Sequence, residues 1–424
     1  MRTLLLLLPL LLAAGPAFAQ RVLTLEEALR TARERQPQLR QAQASSSAAR
    51  ARTDQAFSGL LPQVSASATY QAGLGSGGTP DPTDPGLIRT TNGLRVGATA
   101  SQLIYDFGRT TGRWRSAGQS AEAQEATEAQ TQRDVLANVS TAYFTALAQQ
   151  ALVGVAQETL ENVQAHLSQA RAQVEVGTRA EIDLLQQQTD VSNARLQLIQ
   201  ARNAYATSKA QLNQAMGQEG PTDYTVQEVS VAPVEGEERP LDALVETAFE
   251  ARPDLVASAH QLRAQELNIS ATRGGYWPSL SAQVSASETG LVPAEAQWGL
   301  NGQLALSWSL FQGGVTGAQV REQEANLRGL QAQRDSLRQQ VRLEVERAQL
   351  DVHAALESVT AAEEALTNAR ARLRMAEGRY EQGVGNIIEL SDAQLDATNA
   401  AAQRVQASYD LARARTELQR ALGR

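Results

Sequence analysis

The residues best placed to do chemistry stand together near the C-terminal end, in "RYEQGVGNIIELSDAQ" (379–394). Gly383-Val384-Gly385 breaks a run that is otherwise helical in pattern and free of proline from Ala294 onward. Just beyond the break, Glu389 and Asp392 are three residues apart and so share a helix face. Two carboxylates in that position can draw cations, complement a helix N-terminus, or sit solvated on a surface. The partners an enzyme would need are missing. His166, His260 and His353 are scattered over separate stretches, and no phosphate loop, dinucleotide fingerprint or spaced set of metal ligands occurs. The "YDFG" at 105–108 lacks every other kinase element. No catalytic residue, metal or cofactor is expected.

What positions the carboxylates is a duplication. "LEEALRTARERQPQL" (25–39) matches "LDALVETAFEARPDL" (241–255) at an offset of 216 residues. "IYDFGRTT" (104–111) matches "LFQGGVTG" (310–317) at 206, so the first copy holds ten extra residues between its strands. The same 206 sets "VEVGTRAEIDLLQQQ" (174–188) against "YEQGVGNIIELSDAQ" (380–394), pairing Gly177 with Gly383 and Asp183 with Glu389. The expected division is repeat one over 20–217, an inter-repeat segment over 218–240, and repeat two over 241–424.

Each copy opens with two short helices, the first at about 25–36 and the second, after Pro37, to about residue 58. A strand pair follows, at about 62–72 and 94–106 in copy one and about 278–288 and 298–311 in copy two. Val64, Ala66, Ala68 and Tyr70 alternate with Gln63, Ser65, Ser67 and Thr69, and Leu280, Ala282, Val284 and Ala286 alternate with serines and Gln283. "GLGSGGTPDPTDPG" (73–86) reads as the loop of the first pair, and Leu304, Leu306, Trp308 and Leu310 as the returning strand of the second. Strands of this length and pattern fit either a transmembrane barrel or a soluble sheet packed on helices. Tyr70, Tyr105, Tyr276, Trp277, Trp298, Trp308 and Phe311 fall where an interfacial aromatic girdle would lie.

The rest of each copy is a helical hairpin, 109–216 with its tip near 177 and 315–422 with its tip near 383. Val341, Val345, Ala348, Val352, Ala355 and their successors to Tyr380 recur at alternating steps of four and three, and the 206 offset places an equivalent seam on copy one. That spacing predicts a left-handed supercoil. A helix from Thr110 to about Val174 would be on the order of 100 Å long. A seam of that length needs other helices to cover it.

Compartment and assembly follow. Arg2, an apolar run from Leu4 to Leu12 and Ala17-Phe18-Ala19 read as a cleavable signal peptide over 1–19. Removing Arg2 takes the net charge from −8 to −9, which disfavours nucleic acid as a partner. The chain has no cysteine, so neither disulfides nor an N-terminal lipid anchor are available. Four strands in a bilayer would leave two open edges, which lipid does not tolerate. Two chains would reach the eight strands of the smallest barrels, and three would enclose a lumen.

These features resemble the TolC family of outer-membrane efflux proteins across almost the whole mature chain. The resemblance rests on the duplication, the "L..AL..A....P.L" entries, the "YDFG" and "FQGG" exits and the two hairpin tips. It implies a mixed α/β membrane protein, mostly α, closing as a homotrimer into a 12-stranded β-barrel continuous with a 12-helix periplasmic α-barrel. It implies a passive duct of a tripartite efflux or type I secretion system, in contact with outer-membrane lipid. Its partners would be a periplasmic adaptor protein and an inner-membrane pump of RND, ABC or MFS type. Val176, Gly177, Thr178, Gly383, Val384 and Gly385 match the adaptor-contact tips. Glu389 and Asp392 match an acidic ring at the periplasmic entrance, and Asp183 and Tyr380 other members of its gate. The family's gate arginine is replaced by Gly385, and Arg179 on the first tip is a candidate to take its place. The chain ends at Arg424, directly after the last helix, where longer members add an equatorial segment. With three copies, six carboxylates would surround one axis. A pair about 6 Å apart repels by roughly 0.7 kcal/mol in bulk dielectric, and a crowded neck accumulates such terms. The alternatives are a coiled-coil tether between envelope layers, without a pore, and, more distantly, a soluble periplasmic hydrolase.

Overall fold

Thr24 starts the first helix, its Oγ1 accepting from Glu27 N at 3.1 Å, and Pro37 and Pro253 start the next ones, where a missing N–H is no loss. The computed structural model describes residues 21–76, 88–229, 232–290 and 297–424. Repeat one runs β1 (Arg21–Leu23), α1 (Leu25–Arg35), α2 (Pro37–Ser58), β2 (Gln63–Ser76), β3 (Ile88–Tyr105), α3 (Arg109–Glu175) and α4 (Glu181–Met216). After β4 (Tyr224–Val226), repeat two runs α5 (Leu241–Ala251), α6 (Pro253–Arg273), β5 (Ser279–Gly290), β6 (Gln297–Ser307), α7 (Val315–Glu381) and α8 (Ile387–Ala421). The signal-peptide reading lies outside the described residues, as does most of the 73–86 loop.

Three strand limits differ from expectation. β3 begins at Ile88, about six residues early, because it pairs with β2 as far as Ser76. β2 continues through Gly73 to Ser76, because Ala72 and Leu74 extend the period-two pattern that the glycines disguise. β6 stops at Ser307, so Trp308, Leu310 and Phe311 lie beyond it. Alternation persists there by chance, in a turn that ends at Gly313 and Gly314 in left-handed conformation.

The four long strands form one antiparallel sheet in the order β2-β3-β5-β6. Its register puts apolar residues opposite one another: Ala66 meets Ala98, which meets Ala286, which meets Leu300. On the other face Ser67, Gly97, Ser287 and Gly299 align in the same way. A bulge between Leu103 and Tyr105 turns Tyr105 onto the apolar face opposite Leu280. No described residue covers the apolar face, and Leu300, Leu304, Leu306, Val64 and Val284 are exposed.

The helices continue the order of the strands. Next to the sheet the neighbours are α2-α3-α6-α7, and beyond the belt they are α4-α3-α8-α7. α3 and α7, at 67 residues each, span both levels. The seam positions of α7 are buried or half-buried, and most positions between them are exposed.

The duplication packs into two equivalent cores. Val135, Val139, Leu212 and Met216 lie in one, and Val341, Val345, Leu418 and Leu422, their counterparts at 206, lie in the other. Each core is closed by the same corner. Gln36 Nε2 donates to Ala215 O at 2.7 Å, and Arg252 donates to Ala421 O at 3.3 Å, satisfying carbonyls at the ends of α4 and α8. Gly217 at φ 68° turns the chain against that corner, and a Cβ there would lie 2.6 Å from Gln36 Cα.

The belt between the two levels is tied by buried polar groups. β1 and β4 pair in parallel, and Tyr143 Oη lies 3.0 Å from Leu23 O and 2.7 Å from Gln227 O. Lys209 is the single lysine of the chain. It donates to Thr222 O and Tyr224 O beneath the rings of Tyr205 and Tyr224. Arg415 and Glu237 form a buried bidentate pair. Burial pushes the Tyr143 and Tyr224 phenols from 10.0 up to about 12. The unfolded chain therefore loses these protons first, so stability is full below pH 10 and falls as pH rises to about 12. Melting temperatures followed by circular dichroism are expected to drop over that window. Tyr143→Phe, less stable at neutral pH, is expected to show a shallower drop.

Candidate functional site

The two hairpin tips are built alike. Gly177 and Gly383 take φ of 76° and 74°, and each ends its helix in a Schellman turn. Thr178 N donates to Gln173 O and Gly177 N to Val174 O; Val384 N donates to Arg379 O and Gly383 N to Tyr380 O. Val176, just before Gly177, and Val384, just after Gly383, lie on the outside of these turns, 73% and 72% exposed. Asn386 then caps α8 through Ile388 N, and Glu389 stands in its first turn, where the helix dipole favours a negative charge.

Arg179 joins the tips. Its guanidinium lies 4.3 Å from the centre of the Tyr380 ring and 4.0 Å from Asp183 Oδ2. It donates to Tyr380 O at 2.9 Å and to Gly385 O at 3.4 Å. Arg179 and Gly385 are counterparts at 206, and the absence of a side chain at Gly385 lets that loop close, since a Cβ would meet Tyr380 N at 2.8 Å. Tyr380 is 2% exposed, in a small core with Ala376, Ile387, Leu390 and Ala393. Burial raises its phenol above the ordinary value, Arg179 pulls it back and Asp183 adds to the rise. Asp183, Tyr380 and Arg179 thus form one cluster. Glu389 and Asp392 stand outside it; Glu389 faces Arg379 at 3.6 Å and Asp392 is exposed.

The aromatic residues sort into two levels. Tyr105 stands opposite Leu280, and Trp298 opposite Glu288. Those partners are eight residues apart on β5, about 27 Å along the strand and about 21 Å in height at a 40° tilt. That is close to the ~25 Å apolar band of membrane barrels. Tyr276, Trp277, Trp308 and Phe311 lie beyond the Ser279–Ser307 pair at the helical end of the sheet, with Trp308 Nε1 donating to Tyr276 O, and Tyr70 lies near the level of Trp298. Phe107, in left-handed conformation at φ 55°, stacks on Trp277 with ring centres 5.3 Å apart. Sequence reasoning does not reach it. The clue is that its counterpart at 206 is Gly313, also left-handed.

The sequence pattern of the family described as outer membrane efflux protein matches residues 28–218 and 244–424, both repeats. The chain belongs to that family. Among curated relatives, the chain is 26% identical to the outer membrane protein TolC of Escherichia coli, covering 98% of this chain and 86% of TolC. It is 29% identical to the probable efflux pump outer membrane protein TtgC of Pseudomonas putida, over 45% of this chain. The match spans only 39% of TtgC's length. The solved Campylobacter jejuni CmeC outer membrane channel superposes with a TM-score of 0.80 at 18% identity, covering 94% of this chain and 85% of CmeC, and so shares its fold.

A further polar link in this efflux-family chain is invisible to periodicity. Asp190 Oδ2, on α4, accepts from Ser391 Oγ on α8 at 2.9 Å, next to Asp392. Gln186 and Gln187 also donate to Asp190. Its counterpart Asp396 turns instead to Arg372, so the duplication gives no hint of the contact.

Proposed function

We propose that three copies close into a passive outer-membrane export duct and that the hairpin tips form its periplasmic gate. The observation that carries this reading is the four-stranded sheet, whose uncovered face is apolar except for Gln102 and Glu288 toward its two ends, and whose edges, β2 and β6, are unpaired among the described residues. Only closure with other copies satisfies such edges in lipid. The helical layer is open on corresponding sides, at α7 and at α2 and α4. Leu343 and Leu350 on α7, and Ile182, Leu185, Leu196 and Ile199 on α4, are exposed apolar residues that a neighbouring copy would cover. Three sheets of four strands make a barrel with a lumen.

The name of TtgC, a probable efflux pump outer membrane protein, supports transport as the activity. In this reading the apolar face meets outer-membrane lipid, the helices stand in the periplasm behind a cleaved signal peptide, and a pump with its adaptor supplies the energy. Val176, Gly177, Thr178, Gly383, Val384 and Gly385 are the adaptor's contacts. Glu389 and Asp392, brought to the axis by threefold symmetry, select for cations and hold the entrance narrow. Replacing both by alanine is expected to lower cation selectivity in planar bilayers and to abolish block by divalent cations. Unchanged selectivity and block would remove the acidic ring from the account. A pore-free tether would give no channel events in the same bilayers.

A further inference from the structure

Where the sheet meets the helices, a polar cavity of about 410 Å³ opens between the N-terminal ends of α3 and α7. Ser279 and Ser307, which pair across β5 and β6, line it, so it lies on the polar face of the sheet. In a barrel whose apolar face meets lipid, that is the inner wall. Arg109 and Arg113, one turn apart on α3, both border the cavity. Neither has a carboxylate partner among the described residues. Among the described residues the Arg113 side chain makes no hydrogen bond, and Arg109 donates from one Nη to Gly274 O at 3.4 Å while its Nε is buried without an acceptor. Glu322 is the single acidic side chain in the lining. The ring of Trp277 adds an aromatic surface.

The duplication sharpens the charge imbalance. In copy one, Asp106 Oδ2 accepts from Thr110 N at 2.8 Å and from Thr110 Oγ1, neutralising the start of α3. Its counterpart at 206 is Gln312, which carries no charge and also borders the cavity. Thr316 and Gly317 N–H, in the first turn of α7, have no backbone acceptor, and no acidic residue stands in that turn. Two arginines, an uncompensated helix start and several hydroxyls therefore face one space.

We infer that this cavity binds a small organic anion carrying a carboxylate or phosphate group, one site per chain, on the inner wall of the duct. The inference rests on the barrel reading for its inward orientation. The opposite face of the sheet carries the lipid contacts, so the source is a soluble anion passing through the lumen and not a lipid headgroup. Arg113 and Arg109 hold the charge, Thr316 with the start of α7 donates to it, and Glu322 limits how tightly it is held.

The test is titration calorimetry on the full-length protein in detergent, with benzoate and inorganic phosphate as probes. Saturable binding of at least one is expected. Arg113→Gln, at an exposed position, should weaken it about tenfold, and Arg109→Gln with Arg113→Gln should weaken it further. Glu322→Gln should strengthen it several-fold, a change of sign that loss of structure would not produce. The inference is overturned if neither probe binds, if all variants bind alike, or if only phosphatidylglycerol in a nanodisc binds. Channel conductance of the unsubstituted protein separates the two readings: it persists if only the anion site is wrong, and is absent if the duct is wrong.

Discussion

Lysine in place of Leu304 is expected to keep the protein out of the outer membrane, while lysine in place of its neighbour Gln303 is tolerated. Successive residues of a strand face opposite sides of the sheet. Leu304 lies opposite Ala282 on the apolar face and is 68% exposed, whereas Gln303 lies opposite Gln283 on the polar face. Leu304 sits between the Tyr105 level and the bilayer mid-plane, where a lysine directed into lipid costs about 1–3 kcal/mol, between the interface and mid-plane values. A threefold assembly pays it three times, a sum comparable with the whole stability of a marginally stable fold. The readout is the fraction of protein recovered as detergent-extracted trimers from outer-membrane preparations. Loss with Leu304→Lys and retention with Gln303→Lys would support a lipid-facing surface. Equal recovery of both would place that face elsewhere.

The second large effect is expected at Arg179. Its side chain makes a cation–π contact with Tyr380, donates to two carbonyls of the opposite tip and lies beside Asp183. Each hydrogen bond from a charged donor is worth about 1.5–3 kcal/mol, and the ring contact about 0.5–2 kcal/mol. A loss of about 3 kcal/mol would shift a closed-to-open equilibrium more than a hundredfold. Arg179→Ala is therefore expected to give a leaky duct, with larger mean conductance and more frequent openings. Arg379→Ala removes only the exposed 3.6 Å contact to Glu389 and should change conductance little. If Arg179→Ala behaves like Arg379→Ala, the cluster joining the tips does not hold the gate.

Much of this architecture is legible because it is written twice. Alternation at Val64–Tyr70 and Leu280–Ala286 marks the strands, and the four-three spacing from Val341 to Tyr380 marks the seam that α7 buries. The limits of the strands are less legible. Glycines at 73 and 75 look like a loop, although pairing with β3 carries the strand through them, and Trp308 and Leu310 look like a strand although the backbone has already turned. Local pattern reports what a side chain prefers, while the partner strand decides where pairing ends.

The candidate site divides in the same way. The turning glycines and the acidic pair can be read from residue type and spacing. The reach of Arg179 to Gly385, the link between Asp190 and Ser391, and the left-handed Phe107 depend on which helices and strands become neighbours. Among these, the position of Gly385 opposite Arg179 was accessible through the 206-residue offset. The Asp190 link was not, because its duplicate makes a different bond.

Single-channel recording of the purified, unsubstituted protein in planar bilayers tests the central claim most directly. A trimeric duct with a restricted entrance predicts discrete, cation-preferring openings that scale with reconstituted trimer. Trimers that insert and yet pass no current, even with Arg179→Ala, would contradict it.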